Sequence, residues 1–167
     1  MLRSLVGSEM CIRDSVYAGG MGLVAACDMA VAAEGAGFCL SETRIGLIPA
    51  TIGPYVVRAM GRRAAQRYLL TAERFDAAEA HRLGLVHTVV AADGLDAAVD
   101  GLVQALRAAG PQAVRACKRL LREVADRPVD DALIARTVEG IAEIRASDEG
   151  RAGVSAFLAK QAPPWLP

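Results

Sequence analysis

From Leu95 onward, apolar residues recur at the three- and four-residue spacing of amphipathic helices. Leu95, Val99, Leu102, Val103 and Leu106 share one face of a predicted helix that stops at Gly110-Pro111. Val114, Cys117, Leu120, Leu121 and Val124 form the next stripe, closed by Arg127-Pro128. Leu133, Ile134, Val138, Ile141 and Ile144 make a third, and Ala152 to Lys160 a fourth. The loops between them are short, so each helix is expected to pack on its neighbours. Few strands are available to cover these stripes, and part of the apolar surface is expected to bury against another subunit.

The first half has a different rhythm. Val16 to Cys27 predicts a short extended lead-in, a glycine turn and a helix of small residues. Met29 to Ala33 and Phe38 to Leu40 read as two short buried strands punctuated by Gly35 and Gly37. Arg44 to Pro49 is a predicted loop, and Thr51 or Pro54 opens a helix to Met60 that Gly61 breaks and Arg62 to Thr71 resumes. Asp76 is placed to cap a helix over Ala77 to Leu83, with Glu79 completing a capping box. After Gly84, Leu85 to Val90 is β-branched enough for a strand.

The architecture implied is α/β over 16–92 followed by a helical region over 93–167. A length of 167 residues with 53% hydrophobic and 23% charged positions excludes disorder. Nineteen basic residues balance nineteen acidic ones, and aromatics are only 4%, so nothing favours nucleic acid as a partner. No apolar run reaches the roughly 20 residues that span a bilayer, and no membrane partner is expected. Cys11, Cys27, Cys39 and Cys117 are widely spaced, and with only His81 and His87 they make a poor metal kit. They read as thiols of a reducing cytoplasm.

Met1 to Ser15 stands apart. It lacks the Ala-, Val-, Leu- and Arg-rich character of the chain from Val16 onward, shows neither hydrophobic period, and has no h-region or cleavage site of a signal peptide. It reads as a foreign or artefactual segment, which makes the remainder the C-terminal portion of a longer protein.

Two readings meet at the glycine turn. Gly20-Met21-Gly22-Leu23-Val24-Ala25 has the form GxGxxA, and Glu42 lies twenty residues beyond Gly22, the spacing of a dinucleotide-binding fingerprint. The helix after the turn is too short for the crossover such a fold needs. The alternative starts from chemistry: backbone N–H groups at a helix start suit a developing oxyanion, and a carboxylate on a later loop can move protons beside it. Glu42 is such a carboxylate; its plainer reading is a cap or a surface partner of Arg44.

The run AGGMGLVAACDMAVAAEGAGFCLSETRIGLIPATIG resembles the signature region of the crotonase superfamily, the enoyl-CoA hydratase/isomerase family. Gly61-Arg62, Leu69-Leu70-Thr71-Ala72, Ala77-x-Glu79-Ala80, Gly84-Leu85-Val86 and Gly153-x-Ser155-Ala156-Phe157-Leu158-x-Lys160 continue the resemblance in order, over residues 16–160. It implies a crotonase-like fold, a spiral of ββα units followed by helices that trimerise, in trimers or hexamers. It also implies an acyl-CoA substrate, with coenzyme A entering as part of that substrate and no metal or redox cofactor. Gly19 matches the family's oxyanion N–H donor, with Gly20 beside it, and Glu42 matches one catalytic glutamate. Phe157 and Lys160 match positions that approach the CoA adenine and phosphates.

Gly22, counted with Gly20 among the substrate-binding positions, departs from the pattern, standing where family hydratases carry a further glutamate. One glutamate is the pattern of family isomerases, yet the same run is similar to hydratases of branched or carboxylated enoyl-CoAs. The resemblance therefore implies water addition to an enoyl-CoA, with isomerisation as the alternative. The second oxyanion donor comes from the N-terminal half of the family fold. This polypeptide alone is accordingly expected to be an inactive fragment that associates through its helices. Arg62, Arg63 and Arg67 read as a solvated basic face, and both histidines as structural.

Overall fold

A computed structural model describes residues 9–166. These divide into two compact units at Gly101/Leu102. The first contains β1 (Glu9–Ile12), β2 (Ser15–Tyr17), α1 (Gly19–Ala26), β3 (Met29–Ala33), β4 (Gly37–Cys39), a 3₁₀ turn (Glu42–Ile45), α2 (Gly53–Thr71), β5 (Phe75–Asp76), α3 (Ala77–Arg82) and β6 (Thr88–Val90). Helix α4 (Leu95–Ala108) comes after a second 3₁₀ turn and runs through the division.

The first four strands alternate between two three-stranded sheets. β1, β3 and β6 form one, all parallel, in the order β1-β3-β6. β2 and β4 run parallel in the other, with β5 antiparallel at its edge. The chain thus lays down a strand in each sheet and then a helix, twice in succession, which is the expected ββα winding. Met29–Ala33 is apolar at every position because four of its five residues are buried, as in a parallel strand covered on both faces. The core gathers Met21, Val24, Phe38, Leu40, Val56, Tyr68, Phe75 and Val86. Phe38 stacks on Phe75 with ring centres 5.5 Å apart, and Phe75 meets Tyr68 at 4.2 Å.

Three differences from the sequence reading have physical reasons. Glu9–Ile12, inside the segment set apart as foreign, forms a strand in continuous register with Met29–Ala32, and Ile12 is buried in the core. A four-residue parallel strand takes its place from the ladder beside it and needs no hydrophobic period of its own; Met1–Ser8 lie outside the described residues. β5, only two residues long, carries no readable period at all. The strand expected over Leu85–Val90 shortens to Thr88–Val90. Leu85 and Val86 are buried in a turn bonded to the Ala80 carbonyl, and His87 bonds Ala30 twice: its N–H donates to the Ala30 carbonyl (2.8 Å) and its Nδ1 accepts from the Ala30 N–H (3.1 Å).

Gly61 interrupts α2 as expected, at φ 76° and ψ 155°, a region essentially reserved for glycine. Asp76 caps α3, its carboxylate accepting from the Glu79 N–H at 2.8 Å. The reciprocal half of the capping box is absent because Glu79 has stronger partners. Arg82 donates to both its oxygens (2.6 and 2.7 Å), and the Tyr68 hydroxyl donates to one (2.8 Å).

Those bonds, Arg82 first and Tyr68 second, hold the Glu79 carboxyl down at about 2 from its ordinary 4.5. Because the folded value lies below the unfolded one, Glu79 stabilises the fold fully above about pH 4.5 and loses that contribution as pH falls toward 2. Acid unfolding of Glu79→Gln, followed by circular dichroism, is expected to be less steep than wild type across that window. Coincident curves would remove Glu79 from the acid response.

In the second unit, α5 (Pro111–Val124), α6 (Asp131–Ala146) and α7 (Asp148–Leu158) succeed α4. Ser147 caps α7 through the Gly150 N–H (3.0 Å), so that helix begins four residues before the expected Ala152. Gly110 has no side chain to cap α5, and Glu149 of α7 does so from a distance, accepting from Gln112 N–H (2.9 Å) and Ala113 N–H (2.8 Å). Helix capping here is thorough while apolar burial is sparse. Leu120, Leu121, Ile134, Val138, Ile141, Val154 and Phe157 are all exposed.

Candidate functional site

The site begins with strand geometry. β2 and β4 are parallel neighbours, Tyr17 opposite Cys39, and the ladder continues one step further with the Ala18 N–H donating to the Cys39 carbonyl at 3.0 Å. Past that point β2 turns into α1, while β4 continues through Leu40 and Ser41 into the 3₁₀ turn that starts at Glu42. The glycine turn and Glu42 therefore leave the same carboxyl edge of the sheet from adjacent strands, the side on which parallel α/β sheets form their crevices.

The turn itself is strained. Ala18 holds φ 46° and ψ −119°, a conformation that costs a non-glycine residue on the order of 1–3 kcal/mol. It aims the chain so that α1 starts at once with Gly19, whose N–H and that of Gly20 lie in the first turn, where a helix offers no carbonyl to receive them. The partial positive charge of the helix start adds to theirs. Gly19 is exposed, does not have positive φ, and a Cβ there would meet nothing within 4 Å. Nothing among the described residues requires glycine at this position.

Gly22, one turn of helix later, is the opposite case. It is buried, and a Cβ would stand 2.1 Å from Ile52 Cγ2 and 2.6 Å from Ile52 Cβ. Only glycine fits beneath that side chain. Ile52 is the N-cap residue of α2 and packs against the core.

Glu42 is half-buried, and its Oε2 is enclosed without any hydrogen-bond partner, the one such buried side-chain oxygen or nitrogen among the described residues. A buried, unsatisfied carboxylate oxygen opposes folding and calls for a functional explanation. Its backbone is held firmly. The Leu47 N–H donates to the Glu42 carbonyl (3.1 Å), and Gly46 closes the turn in the left-handed region at φ 74°. From there Ile45, Leu47 and Ile48 present an apolar rim to solvent, and the loop ends at Ile52.

Gly19, Gly20, Gly22 and Glu42 thus share the first unit. Phe157 and Lys160 belong to the second: Phe157 is 81% exposed near the end of α7, and Lys160, exposed at φ 54°, donates its N–H to the Phe157 carbonyl. Arg62, Arg63 and Arg67 are exposed on α2, and Arg67 pairs with Glu73. Among the described residues no group of three or more His, Cys, Asp or Glu could hold a metal ion, and no helix is long and apolar enough to cross a membrane. Sequence reasoning missed Ile52. The available signal was a β-branched residue just before a helix start, ten positions past Glu42.

Comparison with known proteins gives a consistent result. The family profile described as enoyl-CoA hydratase/isomerase matches residues 11–166. The chain is 35% identical over 147 residues to enoyl-CoA hydratase ACTT6 of Alternaria alternata, covering 87% of this chain and 49% of that protein. It is also 35% identical over 154 residues to mevalonyl-coenzyme A hydratase sidH of Aspergillus fumigatus, covering 89% and 56%. The crystal structure of an enoyl-CoA hydratase from Shewanella pealeana superposes with a TM-score of 0.87 at 47% identity, over 91% of this chain and 57% of that one. The chain spans about half the length of the curated relatives it matches.

Proposed function

Since the chain belongs to the enoyl-CoA hydratase/isomerase family, we propose that it carries the proton-transfer half of a site that adds water across the double bond of an α,β-unsaturated acyl-CoA. The observation that carries this reading is the orphaned Glu42 Oε2, on the 3₁₀ turn that follows β4, while the paired strand β2 turns into α1 with the Gly19 and Gly20 N–H groups leading. The Gly19 N–H, supported by Gly20, receives the thioester oxygen as it becomes an enolate. Gly19 is glycine because a side chain would crowd that oxygen and not because the fold asks for it. Glu42 is the acid–base group for the water and the substrate's α-carbon. The thioester acidifies its own α-carbon, and the proposed reaction calls on neither a metal nor a redox group.

Two curated relatives named as hydratases favour water addition over isomerisation. The apolar rim of Ile45, Leu47 and Ile48 suits an acyl chain, and the similarity of the signature run to hydratases of branched or carboxylated enoyl-CoAs favours one of those. In this reading Phe157 and Lys160 receive the CoA adenine and phosphates, Lys160 as the point charge. The exposed apolar residues of α5, α6 and α7 are covered in a homotrimer or hexamer, and the thiols of Cys39 and Cys117 suit a reducing cytoplasm.

Loss of the conjugated-enoyl absorbance of crotonyl-CoA tests the proposal, with hydration as the expected result. A 3-enoyl-CoA converted to the 2-enoyl isomer while crotonyl-CoA is untouched would transfer the site to isomerisation. A second reading rests on the exposed apolar residues of α5, α6 and α7. There the polypeptide associates through its helices without turnover, and both substrates remain unchanged.

A further inference from the structure

Two carboxylates cannot coexist in this site as it is packed, and the reason is a residue ten positions beyond Glu42. We propose that Ile52 determines the proton chemistry of the site by occupying the volume that a second carboxylate at position 22 would need; the inference rests on the hydratase reading above. The contact is not one that a side chain can evade by rotating. A Cβ on residue 22 would lie 2.6 Å from the Ile52 Cβ as well as 2.1 Å from its Cγ2, and a Cβ moves only with the backbone. That backbone is pinned on both sides. The Gly53 N–H donates to the Pro49 carbonyl (2.7 Å), the Tyr55 and Val56 N–H groups donate to the Ile52 carbonyl (3.0 and 3.1 Å), and the Ile52 side chain packs on the core. Gly22 is itself buried in α1.

One loop therefore supplies both the enclosed carboxylate, Glu42 at its start, and the apolar stopper at its end, Ile52. The consequence for the reaction is that a single carboxylate does both proton transfers. Water forms its bond to the β-carbon while Glu42 takes one of its protons. The double-bond pair moves onto the thioester oxygen as an enolate, held at the Gly19 N–H. As the carbonyl re-forms, the carboxyl of Glu42 returns that proton to the α-carbon. The atoms added at the two carbons come from one water molecule, and Glu42 ends in the state in which it began.

Four proteins test this: wild type, Gly22→Glu, Ile52→Gly and the double variant. Glycine is chosen at 52 because alanine would keep the obstructing Cβ, and each penalty is read within one background, so the core packing lost with the Ile52 side chain cancels. Gly22→Glu is expected to lower the melting temperature by on the order of 5 °C or more in the Ile52 background and by less than about 2 °C in the Ile52→Gly background. In the pH profile of crotonyl-CoA hydration, wild type is expected to show one carboxylate limb, and the double variant two. A melting penalty equal in both backgrounds would overturn the steric exclusion. A double variant that melts normally and keeps the single limb would overturn the control of proton chemistry. Rescue of stability with no crotonyl-CoA turnover in wild type supports the exclusion and overturns the hydratase reading, so the two fail separately.

Discussion

Glu42→Gln is expected to lower the proposed crotonyl-CoA hydration by on the order of 10³, near the middle of the range for removing a positioned acid–base group, while the melting temperature holds or rises. The two halves of this expectation have one cause. Glu42 Oε2 is enclosed and has no partner, so the folded state carries the desolvation of a carboxylate oxygen with no hydrogen bond to offset it. Glutamine keeps the shape and removes the charge, which relieves the fold and deprives the reaction of its base. Opposite movement of rate and stability is the signature of a residue kept for chemistry. Initial rates from the enoyl absorbance, set beside thermal unfolding of the same preparations, measure both. A variant at full rate would remove Glu42 from the mechanism. A variant that lost rate and stability together would make Glu42 a structural residue.

Phe38→Ala is expected to cost about 3–5 kcal/mol, the usual toll for emptying a core phenylalanine site, which is a melting temperature roughly 10 °C lower for a chain of this size. Phe38 is fully buried on β4, and its ring begins the aromatic series that continues through Phe75 to Tyr68. The Tyr68 hydroxyl ends that series on Glu79. β4 also delivers the chain to Glu42, so the cavity opens beneath the strand that positions the carboxylate. Phe38→Leu, which keeps most of the volume, is expected to recover more than half of the loss. Chemical denaturation of both variants decides it, and an alanine variant within about 1 kcal/mol of wild type would show that the neighbours collapse into the space.

The elements most legible in the sequence are those defined by local chemistry. Gly61 marks its own interruption of α2 because only glycine adopts that backbone, and Asp76 marks the start of α3 because its carboxylate reaches the Glu79 N–H wherever the rest of the chain lies. The Gly19 turn and Glu42 were legible through their pattern, and the strand pairing between β2 and β4 accounts for it physically. What stayed hidden depends on partners distant in sequence. Glu79 forsakes the capping box for Arg82 and Tyr68, and His87 replaces a strand residue by lending a ring nitrogen to Ala30. Glu9–Ile12 becomes a strand only because Met29–Ala32 offers it a ladder. Ile52 is the case with most bearing on function, since no rule of spacing links residue 52 to residue 22.

The interlock of Gly22 and Ile52 also constrains descent. To pass from one carboxylate to two, a lineage must change both positions, and the order is not free. A glutamate introduced first meets the isoleucine and the fold suffers, whereas loss of the isoleucine first leaves a shallow gap beside a half-exposed loop that selection can tolerate. The return journey must run in reverse, acid lost before bulk is regained. The passage between the two states then runs through an intermediate with glycine at both positions. Ancestral reconstructions of this site should pass through that pair far more often than through glutamate facing isoleucine.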